Sequence, residues 1–390
     1  MKLFLKIIVG IFAFFGLLVL GVVVATTLSN RPGPTAEPLA ALTSQGLEDA
    51  IAGIAEERKL VGIAAKVMVS DTIIAEADTG WRTKDETDPL SVSDLFHVGS
   101  IGKSMSATAI ATLVEDGVMA WDDRLGDRLT DIPMDADWRD VTLAQLLTHT
   151  ASAPRAPITA MMNSVSEAER LAEVRRETAA TMLADPPTVE PGTAFAYSNE
   201  GFMLASLMAE EATGESWETI IRRRVAQPLG LSTLGFGAPT GDVPWGHRKL
   251  AGIKMALDPA ENADNPPWMA AAGTMHMSLD DLLTYGRAHL DAGQSETALL
   301  SPVTFDRLHT PVLNDYAYGW VVQSRDFGEG NEPVIWHNGS NTMWYAVLVL
   351  LPERNAAIVI ATNDGSHLNL TQQKFDELAA QIAKVIVARG

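Results

Sequence analysis

Phe96-His97-Val98-Gly99-Ser100-Ile101-Gly102-Lys103-Ser104 is the stretch on which the reading of the whole chain turns. It places a serine three residues ahead of a lysine, where a glycine-bearing turn enters an apolar run of helical period: Ala107, Ile110, Leu113 and Val114, ending near Gly117. Residues i and i+3 share a helix face. If Ser100 starts the helix, the Lys103 amine lies one turn below its hydroxyl. A serine hydroxyl becomes a useful nucleophile when a nearby amine of lowered pKa takes its proton. Burial of the apolar face is expected to lower that pKa by desolvation. The helix N-terminus adds free N–H groups and partial positive charge beside the reacting atom. The same spacing arises often by chance, so its meaning depends on partners elsewhere in the chain.

The composition narrows the classes. The chain has 390 residues, 47% of them hydrophobic and 20% charged, as in a globular protein with one large or two smaller domains. A formal net charge of -20 and the lack of any long Lys/Arg block argue against nucleic acid as a partner. Arg222-Arg223-Arg224 reads as a solvated helix face. With no cysteine there is no disulfide, thiolate metal site or catalytic thiol. The eight histidines are scattered without a His-Glu-x-x-His pattern, so no metal and no other cofactor is expected.

Lys2 and Lys6 precede an uncharged apolar run from Ile7 to Leu28. As a helix it would be roughly 33 Å long, enough to cross the hydrocarbon core, with the lysines left inside. Residues 1–28 are therefore expected to be a membrane anchor, or alternatively a cleavable signal segment with Val23 and Ala25 at its cleavage site. Either reading exports the remainder to the periplasm or cell exterior. Residues 29–41, within a Pro-, Ser- and Thr-rich stretch, read as a flexible linker, and 42–390 as the folded domain.

Within that domain, a helix over Leu42–Leu60 and a hairpin of Val61–Val69 and Thr72–Ala77 precede the Ser100 stretch. Helices are predicted over Leu143–Leu147, Ser166–Leu183, Glu200–Ala212, Trp217–Val225 and Leu279–Leu290. Strand patterns return at Tyr318–Val322, Pro333–Trp336, Met343–Leu351 and Ala356–Ala361, before a closing helix over Leu370–Val387. The predicted fold is α+β: an antiparallel sheet built from both chain ends and flanked by helices, with a mainly helical second lobe over about 118–286.

Two later sites carry chemistry that Ser100 would need. Tyr197-Ser198-Asn199 follows Pro191-Gly192 on a stiff loop ahead of a helix. Tyr197 can relay a proton and Asn199 can hold a substrate amide; the plainer alternative is a packed tyrosine and a capping asparagine. Trp336-His337-Asn338-Gly339-Ser340 ends a strand pattern, and its glycine permits close approach of a ligand to the backbone. A backbone N–H near Ser340 could contribute to an oxyanion hole; the alternative is a strand-end histidine in a turn.

Together and in this order, Ser100-Ile101-Gly102-Lys103, Tyr197-Ser198-Asn199 and His337-Asn338-Gly339 resemble the three-motif signature of the serine β-lactamase and penicillin-binding protein superfamily. The variants point to its branch of class C β-lactamases, D-alanyl-D-alanine carboxypeptidases and related esterases and D-aminopeptidases. Leu146-Leu147-Thr148-His149-Thr150, Pro228-Leu229-Gly230-Leu231 and Tyr318-Gly319-Trp320 also look like segments of that family, in its order. The resemblance implies a β-lactamase/transpeptidase-like fold and a serine hydrolase working through an acyl-enzyme. Ser100 would be acylated, with Lys103, Tyr197 and His337 as catalytic partners. Asn199, Asn338 and Gly339 would bind substrate, and the backbone N–H groups of Ser100 and Ser340 would form the oxyanion hole.

Departures bear on the substrate. Asn338 stands where many relatives have threonine, Met343 where a glycine is usual, and Ala151-Ser152 where Ser-Gly is common. Trp336, Trp344 and Trp268 could wall a narrow pocket, or simply pack the sheet. The expected substrate is an amide or ester, either a peptide such as a cell-wall peptide or a carboxylic ester. The alternative is a sensor or binding module that acylates without turnover. An α/β-hydrolase elbow is disfavoured because Gly-x-Ser-x-Gly would need glycine at Val98.

Overall fold

The computed structural model describes residues 42–389 apart from Glu86, 162–167 and Asn262. The expected anchor, the whole of the linker and the start of the Ser166–Leu183 helix lie outside the described residues. No helix among the described residues is long and apolar enough to cross a membrane.

Helix α1 (Ser44–Arg58) starts where the Thr43 hydroxyl accepts from Gly46 N and stops at Lys59, which takes a left-handed conformation. Strands β1 (Gly62–Val69) and β2 (Thr72–Gly80) form the hairpin. Helix α2 (Gly102–Glu115) follows a single 3-10 turn at Gly99–Ile101. Helix α3 (Asn199–Thr213) begins at the second motif, and α4 (Leu279–Asp291) packs beside the sheet. Strands β3 (Val321–Asp326), β4 (Asn331–Ser340), β5 (Tyr345–Leu351) and β6 (Ala356–Thr362) form the late meander, and α5 (Leu368–Ala388) closes the chain.

The six strands make one antiparallel sheet in the order β2-β1-β6-β5-β4-β3. The N-terminal hairpin thus joins the C-terminal strands through β1 and β6, with Ile63 opposite Thr362 and Val69 opposite Ala356. Strands β5 and β6 are apolar nearly throughout because both their faces are covered. One face packs Ile358, Ile360 and Val347 against Phe375 and Ile382 of α5 and Leu47 and Ile51 of α1. The other turns Leu348, Leu350 and Val359 toward α4 and the helical region that holds α2 and α3. A smaller sheet, Leu95–His97 with Met275–Ser278 and Gly235–Phe236, leads the chain into the Ser100 turn.

Two local expectations shift. Ser100 sits in the 3-10 turn rather than at the first residue of α2, because Gly99 has φ +52° and the chain is still turning there. The first strand of the meander runs over Val321–Asp326 instead of Tyr318–Val322. Tyr316 has already bridged to Val321, so Tyr318 belongs to the tight turn before the strand.

Candidate active site

Strand β3 pairs with β4 only as far as Trp336, so the outer edge of His337–Ser340 is free to meet the Ser100 turn. The approach is backbone to backbone. A Cβ on Gly339 would lie 2.0 Å from Val98 O and 2.3 Å from Ser100 N, and one on Gly99 would lie 2.2 Å from Ser340 N. Only glycine at both positions allows the Ser100 and Ser340 amides to come this close. Both residues border a cleft of about 220 Å³, which Tyr197, Ser198, Asn199 and Asn265 also line.

Lys103 is fully buried on α2. Its Nζ contacts Ser100 Oγ at 3.0 Å, Asn199 Oδ1 at 2.7 Å and the Ala272 carbonyl at 2.7 Å. Burial pulls its pKa well below the ordinary lysine value, and the Glu200 carboxylate opposes that only in part. The Asn199 and Ala272 oxygens can only accept. A neutral amine therefore spends its two N–H groups on them and leaves its lone pair facing the Ser100 hydroxyl. That is the geometry of a base. Asn199 is held for this role at the first turn of α3, where Ser198 caps the helix by accepting from Gly201 N.

Tyr197 places its ring 4.9 Å from Lys103 Nζ. Burial pushes its phenol well above the usual tyrosine value, against a pull from the Ser100 hydroxyl. It is a protonated phenol at neutral pH, able to pass a proton but not to hold charge unaided. Beneath it lies an aromatic cluster, with His149 centred 4.2 Å from Tyr197 and 4.7 Å from Tyr316. His149 Nδ1 accepts from Ser198 N at 3.2 Å, fixing the second-motif loop from below.

Two expected site residues are placed differently. His337 does not border the cleft; its Nε2 meets the Tyr316 hydroxyl at 3.3 Å and its Nδ1 donates to the Asn338 carbonyl at 2.5 Å. Burial drops its pKa to about 3. His337 is thus a neutral hydrogen-bonding imidazole at neutral pH, and its link to Tyr197 runs through the Tyr316 and His149 rings. Asn338 points to the opposite sheet face, where its Nδ2 donates to the Tyr345 hydroxyl at 3.1 Å. Period-two alternation along β4 forces this once its neighbours His337 and Gly339 face the Ser100 side. The expected substrate contact by Asn338 is corrected accordingly.

The tryptophan wall is also absent. Trp336 packs in the outer core, Trp344 stands edge-on to Phe96, and Trp268 donates Nε1 to the Ala160 carbonyl. The apolar lining comes from Met161, Val189 and Met269 instead.

The sequence reading missed Ala272 and a carboxylate behind the Ser100 and Ser340 segments. Asp264 Oδ1 lies 2.9 Å from His97 Nε2, slightly off the hydrogen-bond line, and accepts from Asn341 Nδ2 at 2.9 Å and Asn265 N at 2.6 Å. His97 Nδ1 accepts from Gly99 N, while Asn341 Oδ1 accepts from Met343 N and Trp344 N. Asp264 thereby ties the turn carrying Ser100 to the turn following Ser340. Nothing local in the sequence marks it, because its partners come from three separate segments.

A fold of this kind with this cleft defines a class, the acyl-transferring serine hydrolases with a Ser-x-x-Lys nucleophile. The Beta-lactamase family profile matches residues 47–381, and the chain belongs to that family. It is 26% identical over 347 residues to penicillin-binding protein 4 of Amycolatopsis lactamdurans, covering 84% of this chain and 87% of that one. It is 22% identical to protein flp of Staphylococcus aureus, covering 77% of this chain and 59% of that protein's length. Among solved structures, the octameric penicillin-binding protein homologue from Pyrococcus abyssi superposes with a TM-score of 0.70 at 23% identity, over 86% of this chain and 77% of that one. The D-amino acid amidase from Ochrobactrum anthropi SV3 does so with a TM-score of 0.68 at 19% identity, over 88% and 99%. The two superpositions speak to the fold.

Proposed function

We propose that the chain is a membrane-anchored, extracytoplasmic serine hydrolase that cleaves a neutral amide or ester through an acyl-enzyme on Ser100. The observation that carries this is the buried Lys103 amine, whose two other contacts leave only Ser100 to share its lone pair. Ser100 Oγ attacks the carbonyl carbon and its proton passes to Lys103. The oxyanion lies between the Ser100 and Ser340 N–H groups. The bond to the leaving nitrogen or oxygen then breaks as Tyr197 hands on the proton. Water repeats the sequence on the ester, freeing the acid and restoring Ser100.

The substrate is an amide of the kind a penicillin-binding-protein-like peptidase or amidase takes, or a carboxylic ester. Free carboxylate recognition beside β4 is disfavoured, since neutral His337 faces Tyr316 and Asn338 faces Tyr345. The apolar run ahead of residue 29 supports the anchored, exported location.

The test is labelling of the detergent-purified full chain with a fluorophosphonate and a fluorescent penicillin, beside Ser100→Ala and Lys103→Ala. Wild type should label and release on hydrolysable esters, and Ser100→Ala should not label. Lys103→Ala should acylate at least about 100-fold more slowly. Equal labelling of wild type and Ser100→Ala would refute the assignment, and a labelled wild type that turns over no ester or amide would mean a sensor instead of a hydrolase.

A further inference from the structure

Glu200 is a buried carboxylate that the fold does not need as a charge. It is 7% exposed, lines the cleft and stands in the first turn of α3, directly after the Asn199 whose Oδ1 holds Lys103 Nζ. Its Oε1 accepts from Ala156 N at 3.0 Å and its Oε2 accepts from Ser198 Oγ at 3.2 Å, so it ties the loop carrying Ala156 to the second-motif turn. These are its polar contacts among the described residues, and neither is to a cation. A glutamine could make both bonds, accepting from Ala156 N and donating to the Ser198 hydroxyl, which can also accept. A buried charge without a paired opposite charge is costly, and the α3 N-terminus offsets only part of that cost. The two bonds explain a polar side chain here. They do not explain a charged one.

The charge has one group to act on. Desolvation pulls the Lys103 pKa down, and the Glu200 carboxylate pushes it back up. The other titratable groups that face Lys103 are Tyr197, His149 and His337. Burial keeps the Tyr197 phenol protonated and both imidazoles neutral at pH 7, with His337 at about 3. Arg155 on the cleft lining is exposed, where solvent screens it. Among the described residues facing Lys103, Glu200 alone brings an unscreened charge. Burial by itself makes the amine neutral at the expense of its strength as a base, and a general base works best with its pKa near the operating pH.

We propose that Glu200 is a positioning residue for the general base: its carboxylate joins the Ala156 and Ser198 segments and, by its negative charge, keeps Lys103 basic enough to take the Ser100 proton. The inference rests on acylation of Ser100 with Lys103 as base and adds the group that tunes that base. Removing the charge lets the Lys103 pKa fall further. The amine then stays neutral to lower pH but accepts a proton less readily at every pH where it is already neutral.

The experiment measures the second-order rate of fluorophosphonate labelling, which reads acylation alone, from pH 5 to pH 9. It uses the detergent-purified full chain as wild type, Glu200→Gln and Glu200→Asp. Wild type should lose rate toward acid as Lys103 takes up a proton. Glu200→Gln keeps both hydrogen bonds and removes the charge. Its rate at pH 8.5 should fall about threefold, while its ratio of rates at pH 5.5 and pH 8.5 should rise about threefold or more above the wild-type ratio. Glu200→Asp keeps the charge and loses reach to Ala156 N and Ser198 Oγ, so it should lose rate yet keep the wild-type profile. A merely structural role predicts the reverse, with the profile of Glu200→Gln unchanged in shape. An unlabelled wild type would overturn the acyl-enzyme reading itself. A labelled wild type whose rate is flat from pH 5 to pH 9, or a Glu200→Gln profile of wild-type shape, would overturn the role of Glu200 alone.

Discussion

Gly339→Ala is the sharpest test of the proposed oxyanion hole. The new methyl would lie 2.0 Å from Val98 O, 2.3 Å from Ser100 N and 2.8 Å from Gly99 C, all backbone atoms with no rotamer to escape into. Restoring an ordinary contact of about 3 Å to Val98 O requires β4 and the Ser100 turn to part by about 1 Å, a misplacement that can cost about 100-fold in rate. That movement separates the Ser100 and Ser340 amides, which must both sit about 2.7–3.1 Å from the developing oxyanion. Losing one such donor costs about 3 kcal/mol, so kcat for a p-nitrophenyl ester should fall about 100- to 1,000-fold. Stability should fall by about 1–3 kcal/mol, as for other overpacked interiors. A circular dichroism melt checks that the variant is folded at the assay temperature. The matching thionoester provides a second reading: its sulfur fits the intact hole poorly, so the oxygen-to-sulfur rate ratio should shrink. Ser340→Ala is the companion, since it keeps both amides and removes only the hydroxyl, which donates to the Trp344 carbonyl and accepts from Thr342 N. A folded Gly339→Ala enzyme with kcat within threefold of wild type would refute the reasoning.

Asp264→Ala should lower kcat about tenfold, with KM changing less, because it frees both turns without touching the cleft's reacting groups. Stopped-flow acylation and an unchanged far-ultraviolet spectrum check this, and a rise in KM alone would count against it. Acid should destabilise the fold. Burial holds His337 at about 3 and His309 at about 4, and lowers His149 and His289 well below the ordinary value near 6.5. The unfolded chain therefore binds more protons than the folded one from about pH 6.5 downward. Each histidine removes roughly 1 kcal/mol per pH unit until its folded pKa is passed. Buried Asp376, raised to about 7, works the other way between about pH 4 and 7, so it offsets about one histidine. The urea midpoint should be lower at pH 4.5 than at pH 7, and an equal or higher midpoint would contradict the neutral burial of these imidazoles.

The sequence by itself determined what is local. The period of α2 and the continuous apolar runs of β5 and β6 follow from neighbours along the chain. The Ser100–Lys103 spacing likewise needs only one helical turn, and motif order was enough for the family resemblance. Tertiary structure decided everything that depends on which face a residue presents and what covers it. One residue of register along β4 sends Asn338 to Tyr345 and leaves Gly339 against Ser100, a choice that the motif His337-Asn338-Gly339 does not reveal. Whether His337 carries charge depends on its burial beside Tyr316 and Lys103, two groups far from it in sequence or on another layer. The second carbonyl that orients Lys103 comes from Ala272, 169 residues away, and Asp264 acts only because three segments converge on it. Local spacing fixes a candidate nucleophile and base. Desolvation and long-range backbone contact, which belong to the folded chain alone, set their protonation and bring the Ser100 and Ser340 amides together.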